Sequence, residues 1–471
     1  VLPFVNMSAD AENEFFSDGI SEEILNVLAS IPDLKVAART SAFAYKGTNT
    51  GIAQIARDLG VNHVLEGSVR KAGNQVRITA QLIKADDGFH LWSATYDREL
   101  TNIFAIQDEI ANSIATALKV SLDLESGSAG NLTGTNSIEA YEHYLKGMSL
   151  WHMRTAESLP ESIEAFNRAI DLDPKFAKAY AGLSLAWGVI GGYVMTDAKT
   201  DDEKTEAAAN KALSLDPNNV EATTALAQLR SNQFRYEEAD DLFQKAISLN
   251  PSYATAYQWY GNMLVFMGNP EAGLVALQKA RTLDPRSRII GANTAATLNL
   301  LGRHQEAVDL LNEVRENAPD FPDALELLMH LELDAGNCAD VPVYGNELAG
   351  LLRKVTNTTQ VYADLCESSN PAARKRAIEE ILVWPALDLP NPENPALSYS
   401  VELTATLVEM NEFDAALQVI QKNMGFDGIY FFRQLRARKS NNAIAFFCDP
   451  RVRSLYRKFE IPALPTDAVC D

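Results

Sequence analysis

A proline recurs at a fixed interval through the middle of this chain of 471 residues. Pro217, Pro251, Pro285 and Pro319 are spaced 34 residues apart. Proline cannot continue a helix, so each of these positions marks a place where a helix has ended. A period of this length accommodates two short helices, and such units bury their apolar faces only by stacking on one another. The spacing therefore predicts an array of helical hairpins.

Residue types inside the period agree with this interpretation. Small residues recur where the second helix of a unit would cross the first, and larger apolar residues follow four positions later. The small residues are Ala239, Gly273 and Ala307, and the larger ones are Phe243, Leu277 and Leu311. Small side chains at a crossing let two helices approach closely. The pattern resembles the tetratricopeptide repeat.

The strength of the repeat pattern divides the chain. We expect a linker at residues 123–139, tetratricopeptide repeats at 140–352, and degenerate helical repeats with a carboxy-terminal cap at 353–471. The run from Ala179 to Thr196 is uncharged, and its length is close to that of a membrane span. It contains four glycines and fits the first helix of the second unit, so we interpret it as a buried helix.

Residues 1–122 carry a different pattern, in which alternating apolar residues predict strands. His63–Lys71, Val76–Lys84 and Phe89–Tyr96 alternate and are separated by turns that contain Gly73 and Gly88, as is typical of an antiparallel meander. The remaining elements are predicted as strands at Val1–Val5 and Leu34–Ala38 and helices at Glu12–Ser30, Gly51–Leu59 and Ile103–Leu118. The predicted order is β-α-β-α-β-β-β-α, so the predicted fold is an α+β domain followed by an all-α solenoid.

Three blocks of this region, at residues 2–25, 55–83 and 88–111, resemble the TolB amino-terminal-like domain. They read LPFVNMSADAENEFFSDGISEEIL, IARDLGVNHVLEGSVRKAGNQVRITAQLI and GFHLWSATYDREL followed by IFAIQDEIA. The resemblance implies a protein-interaction or sensing module between an upstream effector and a tetratricopeptide array. In that family the effector is a class III adenylate or guanylate cyclase or a CadC-like winged-helix regulator, often followed by a membrane helix. Because the sequence starts at Val1 within a predicted strand, we expect such an effector and anchor to precede it.

The charge of the chain excludes one class of partner. The net charge is −22, with −5 in residues 1–122 and −17 in the remainder. A phosphate backbone is bound by basic surfaces, and both parts are acidic. We therefore expect no nucleic-acid binding by this segment.

The sequence contains no motif typical of a catalytic or metal site. Its six histidines include no HExxH pair, and neither a phosphate-binding glycine loop nor a nucleophile elbow occurs. The four cysteines form no CxxC pair, so we predict no zinc site. They are Cys338, Cys366, Cys448 and Cys470. We interpret them as buried free thiols, with disulfides in an oxidising compartment as the alternative, and we predict no catalytic residue and no cofactor.

The concave groove of the array is the candidate binding site. Positions 2, 5, 9 and 12 of the first helix in each unit should face it, and position 6 lies nearby. The candidate residues are Thr224, Gln228, Gln258, Trp259, Asn262, Asn293 and Asn299. Amides beside a tryptophan suit peptide backbone or a polar uncharged ligand. They differ from the lysines and asparagines with which related repeats clamp a terminal carboxylate.

Together these patterns predict a non-catalytic sensory and protein-interaction module of a bacterial signalling protein. We expect it to bind a protein, a peptide or a small polar ligand, to form a homodimer, and to regulate an upstream adenylate cyclase or transcription regulator. A membrane would be reached only through the upstream anchor. We expect a periplasmic location, with the cytoplasm as the alternative. The alternative functions are an envelope assembly chaperone and an enzyme whose repeats position a substrate.

Overall fold

The structure is a computed structural model. It describes residues 1–10, 13–29, 34–99, 109–110, 113–114, 116–117, 134–194, 196–351, 358–366, 371–383, 404–423 and 441–458. The chain divides into two compact units, which are described separately. The first comprises Val1–Tyr257 and Lys279–Arg286, and the second comprises Gln258–Gln278 and Ser287–Asp471.

A four-stranded sheet lies at the beginning of the first unit. Its strands follow the order β1-β2-β3-β4; β1 pairs with β2 in parallel, and the other pairs are antiparallel. The strands are β1 Val5–Asn6, β2 His63–Ala72, β3 Gln75–Lys84 and β4 His90–Glu99. Gly73 and Gly88 have φ values of +57° and +72°, which glycine adopts without strain. The predicted meander is therefore confirmed.

Three helices accompany the sheet: α1 at Glu14–Ala29, α2 at Arg39–Phe43 and α3 at Ile52–Leu59. Gly60 ends α3 in the left-handed conformation, as its position after the helix predicts. The third predicted helix lies mostly outside the described residues, but all of its described residues are helical.

The predicted strand at Leu34–Ala38 is wrong, and α2 was not predicted. Residues 34–38 have no regular secondary structure and pair with no strand among the described residues. Instead the Ala38 N–H donates to the carbonyl of Leu283, 2.7 Å away. A short apolar segment can satisfy its backbone in this way without entering a sheet, so the predicted order contains one strand too many.

Antiparallel helix pairs make up the rest of the described chain. Helices α4 to α13 form five pairs: Ile138–Met153 with Ser158–Leu172, Ala177–Ile190 with Ala198–Leu215, Val220–Asn232 with Tyr236–Leu249, Ala254–Phe266 with Pro270–Leu283, and Arg288–Leu300 with His304–Asn317. Helices α14 to α17 are Pro322–Ala335, Val341–Leu351, Thr358–Cys366 and Pro371–Val383. Helices α18 to α20 are Phe413–Asn423, Asn441–Cys448 and Pro450–Lys458. The predicted linker and cap fall partly outside the described residues, and the predicted domain boundaries stay a prediction.

Close helix crossings occur where small residues were predicted. A Cβ atom on Gly261 would lie 2.9 Å from the carbonyl oxygen of Gly273, so the two backbones are in direct contact there. Ala239, Phe243 and Leu277 are fully buried. The uncharged run from Ala179 begins inside α6, whose residues are mostly buried. Among the described helices, none is long and apolar enough to cross a membrane.

The cysteines are the clearest departure from the sequence interpretation. Cys338 and Cys366 form a disulfide across 28 residues, and Cys448 is also disulfide-bonded; Cys470 lies outside the described residues. The prediction of free thiols is therefore wrong for these three residues. The Cys338–Cys366 bond joins the turn after α14 to the last residue of α16.

Loss of this bond should destabilise the second unit. A disulfide that closes a loop of this size lowers the conformational entropy of the unfolded chain, which stabilises the folded state by about 3 kcal/mol. Cys338→Ser, Cys366→Ser and the double variant should each lower the free energy of unfolding by the same amount, because either single change removes the whole bond. Urea unfolding with thiols blocked measures this. Additive effects of the two single changes would show that the thiols contribute separately.

Candidate functional site: the groove of the first repeats

Two of the predicted groove residues lie in the first unit and already have partners within their own helix. Thr224 is fully buried, and its hydroxyl donates to the carbonyl of Val220 at 2.8 Å. The amide nitrogen of Gln228 donates to Asn232 at 3.0 Å, while its side-chain oxygen is buried and has no donor among the described residues. Neither side chain is free to meet a ligand without first changing these bonds.

The other five predicted residues lie in the second unit. Trp259 is buried, whereas Gln258, Asn262, Asn293 and Asn299 are half-buried. The Asn299 side chain lies 3.4 Å from a ring nitrogen of His304. The role of all seven residues in ligand binding stays a prediction.

Helix α1 occupies the groove of the first two repeats, and this docking was not predicted from the sequence. Thirteen of the 16 residues of α1 are buried, although they include Asp18, Glu22 and Glu23. A helix on one face of a sheet normally leaves its polar side in water. Here that polar side packs against repeat helix α4: a Cβ atom on Gly19 would lie 2.6 Å from the Leu145 side chain. Helix α1 is thus enclosed between the sheet and the repeats.

Two adjacent carboxylates on α1 reach different repeat residues. Glu22 lies 2.8 Å from the ring of His152 on α4 and 2.8 Å from the guanidinium of Arg39 on α2. Glu23 forms an ion pair with Lys178 on α6 and accepts a hydrogen bond from the Tyr144 hydroxyl at 3.4 Å. These contacts tie α1 to the first helices of the first two repeats.

The repeat register identifies this surface as the concave groove. Lys178 is the second residue of α6 and therefore occupies position 2 of its unit. Gly147 is the close-packing residue of α4, where a Cβ atom would lie 2.7 Å from the ring of Phe166. Gly261, the equivalent close-packing residue three units later, is the eighth residue of its helix. Gly147 therefore takes position 8, which places Tyr144 at position 5. Both positions face the groove, so the sequence register could have identified Lys178 and Tyr144.

The buried ion pairs shift the ionisation of their members. Burial alone would raise the pKa of Glu22, but the charges and hydrogen bonds of His152 and Arg39 lower it to about 2. Burial lowers the pKa of His152, as does the positive charge of Arg39, with Glu22 opposing both. Burial raises the pKa of Glu23 despite its partner Lys178, and it also raises the pKa of Glu221 on α8. The cluster therefore holds a fully ionised Glu22 beside carboxyls that are harder to ionise.

A second contact joins the segment around α2 to the repeat turn at Leu283–Arg286. The carboxylate of Asp284 is buried and accepts from both the N–H and the hydroxyl of Ser41. The Ser41 hydroxyl in turn accepts from the Arg286 N–H at 2.7 Å. Arg286 also donates to the Tyr45 hydroxyl at 2.9 Å. Burial raises the pKa of Asp284, with the hydrogen bonds from Ser41 and Thr40 opposing it.

The other repeat turns show what is unusual at Asp284. In those turns the side chain before the proline accepts directly from the N–H two residues later, as in an Asx turn. The pairs are Asp173 with Lys175, Asp216 with Asn218 and Asn250 with Ser252, at 2.9 to 3.1 Å. At Asp284 the hydroxyl of Ser41 is inserted between the two groups. The α/β region thus binds the acceptor that caps the backbone in the three other turns.

No group of three or more His, Cys, Asp or Glu side chains that could hold a metal ion occurs in the part of the chain that the structure describes. The groove contacts are ion pairs and hydrogen bonds between side chains of the chain itself. The arrangement is suited to binding a polypeptide surface.

Comparisons with known proteins support the repeat assignment. The family model for the tetratricopeptide repeat matches residues 220–253. The protein named "Putative adenylate cyclase 3" from Rhizobium meliloti is 38% identical over 243 residues, which are 51% of this chain and 41% of that protein. Anaphase-promoting complex subunit 3 of Schizosaccharomyces pombe is 26% identical over 160 residues, 34% of this chain and 23% of that protein.

Among solved structures, PilW, a type IV pilus biogenesis factor, aligns with a TM-score of 0.37 and 19% identity, covering 44% of this chain and 91% of PilW. The chain spans less than half the length of the curated relatives it matches. The match of the family model therefore identifies a tetratricopeptide repeat at residues 220–253, and repeats of this kind form a scaffold for protein interaction.

The pairing of Glu22 should make the stability of the first unit depend on pH. Because its pKa falls from 4.5 to about 2 on folding, its contribution is present above pH 4.5 and is lost as pH falls toward 2. Glu22→Gln should therefore destabilise the first unit at pH 7, and the cost should become progressively smaller below pH 4.5. Urea unfolding at several pH values measures this, with the exposed Glu203→Gln as control. A cost for Glu22→Gln that does not change with pH would contradict the assignment.

Proposed function

We propose that this chain is the sensory and protein-interaction part of a bacterial signalling protein, and that it regulates an effector of the adenylate cyclase class. The observation that carries the proposal is the docking of α1 into the repeat groove through Glu22 and Glu23. A contact held by ion pairs can be in equilibrium between a docked and a separated state. A ligand or partner that binds one of these states better shifts that equilibrium. The 38% identity to a protein named as an adenylate cyclase supports the choice of effector.

The α/β region is proposed to be a TolB-like sensing domain, on the three sequence blocks in residues 2–111. We propose that the repeats bind a protein or peptide partner and that the assembled protein is a homodimer, as the cyclases and winged-helix regulators of that family are. A transcription regulator is the second candidate effector. An envelope chaperone is the alternative function, and it would differ by binding many unfolded clients.

We propose that this part of the protein lies in the periplasm. The Cys338–Cys366 disulfide supports an oxidising compartment, because bonds of this kind rarely persist in the cytosol. Trapping free thiols during lysis of cells that make the protein tests the proposal. Alkylated Cys338 and Cys366 would instead favour the cytoplasm.

A fusion to a class III cyclase catalytic domain tests the regulatory proposal. Lys178→Glu places a negative charge beside Glu23 and should separate α1 from the groove. We expect this variant to change the rate of cyclic AMP formation severalfold, whereas Lys199→Glu, a reversal at a side chain that is 84% exposed, should not. An unchanged rate in Lys178→Glu would contradict regulation through the contact of α1 with the repeat groove. The measurement is the initial rate in purified fusion protein.

A further inference from the structure

The surface of α4 and α6 that contacts α1 would be unfavourable if it were exposed to water. Tyr141, Tyr144 and Trp151 are at most 5% exposed, and His152 and Lys178 each pair with a carboxylate of α1. Removing α1 would take the carboxylate partners from two groove residues and the acceptor from the buried Tyr144 hydroxyl, and would uncover the Leu145 side chain against which Gly19 packs. The groove therefore needs an occupant with both acidic and apolar groups.

Helix α1 presents its recognition groups in a simple order. Gly19, Glu22 and Glu23 occupy positions i, i+3 and i+4, which lie on one face of a helix. Gly19 allows the close approach to Leu145, and the two carboxylates then diverge toward His152 and Lys178. A small residue followed three and four positions later by two carboxylates is the pattern that this groove accepts.

The fit of α1 in the groove is incomplete. Trp151 occupies position 12 of α4 in the register that places Gly147 at position 8, and its indole N–H is buried with no acceptor among the described residues, which is unfavourable. Glu22, Glu23 and the half-buried Glu221 approach the same region with Arg39 and Lys178 as counter-charges. Arg39 belongs to the α/β region and leaves with α1. A helix from another protein that supplies an acceptor to Trp151 can therefore compete with α1.

We propose that the groove of α4 and α6 is a binding site for an acidic amphipathic helix of a partner protein, and that α1 is its resident intramolecular occupant. The partner helix carries the small-x-x-acid-acid pattern and binds by displacing α1. The contact of Ser41 with the turn at Asp284 keeps the α/β region close when α1 leaves. This inference rests on the proposed function of the repeats as a protein-binding scaffold.

A fluorescent peptide with the sequence of residues 12–31 is the probe, and the full chain is the receptor. Gly19→Phe in the chain prevents its own α1 from approaching Leu145 and should empty the groove. We expect the peptide to bind this variant at least about tenfold more tightly than the wild type, whose groove is open only part of the time. A peptide with Glu22→Lys and Glu23→Lys should not bind. Ser93→Phe, on the exposed face of β4, is the matched control and should bind like the wild type.

Labelling of histidines reports the state of the groove independently. Diethylpyrocarbonate should modify His152 severalfold faster in Gly19→Phe than in the wild type, while the exposed His90 reacts equally in both. If Gly19→Phe does not fold, Asp284→Lys releases the second contact without changing α1 or the groove, and it should also increase peptide binding. Equal peptide binding to wild type and variants, or binding of the charge-reversed peptide, would overturn the proposal.

The outcome separates this inference from the proposed function. Peptide binding needs no effector, so its failure together with a cyclase rate that responds to Lys178→Glu would leave the regulation intact and remove the helix-binding groove. If the peptide binds as expected and the cyclase rate does not respond to Lys178→Glu, the result supports the helix-binding groove and contradicts the regulation of a cyclase.

Discussion

The ion pair between Glu23 and Lys178 is the contact on which the arrangement of the first unit depends. It links the α/β part of the first unit, to which α1 belongs, with the repeats, to which α6 belongs. Glu23 is almost fully buried and its pKa is raised. An ionised carboxylate in such a place is stable only while its cation stays beside it. The pair therefore favours a single position of α1 and penalises its partial withdrawal.

The contact at Ser41 shows how a repeat array can bind another region without a dedicated site. Four of the repeat turns offer an acceptor before the proline, at Asp173, Asp216, Asn250 and Asp284, and a backbone N–H two residues later. In three turns the side chain accepts directly from the N–H. In the fourth, the Ser41 hydroxyl donates to the Asp284 carboxylate and accepts from the Arg286 N–H. The Asp284 carboxylate, the Ser41 hydroxyl and the Arg286 N–H each keep a hydrogen-bond partner in this exchange, so the exchange costs little. It gives the α/β region a second attachment, far in sequence from the groove.

Much of the architecture could be predicted from the sequence because it depends on local periodicity. The interval between Pro217 and Pro319 identifies the helical pairs, and the alternation from His63 onward identifies the meander. Gly60, Gly73 and Gly88 adopt the backbone conformations that their positions suggest. The strand at Leu34–Ala38 was wrong because its backbone bonds to residue Leu283, and no local pattern reveals a partner so distant.

The docking of α1 was missed for a similar reason. Asp18, Glu22 and Glu23 look like the solvated side of an amphipathic helix, and only a tertiary contact turns that side inward. A glycine in the middle of a helix costs about 1 kcal/mol relative to alanine, so Gly19 was the one local sign of a close approach. The disulfide likewise required spatial proximity, which the spacing of Cys338 and Cys366 does not show.

A double-mutant cycle on Glu23 and Lys178 tests most directly whether α1 is held in the groove. The free energies of unfolding of Glu23→Ala, Lys178→Ala and the double variant give the coupling energy of the pair. We predict a coupling of about 1 to 3 kcal/mol, against less than about 0.5 kcal/mol for the exposed pair Lys199 and Glu203. A coupling energy between Glu23 and Lys178 that is no larger than that of the exposed pair would contradict the docked arrangement.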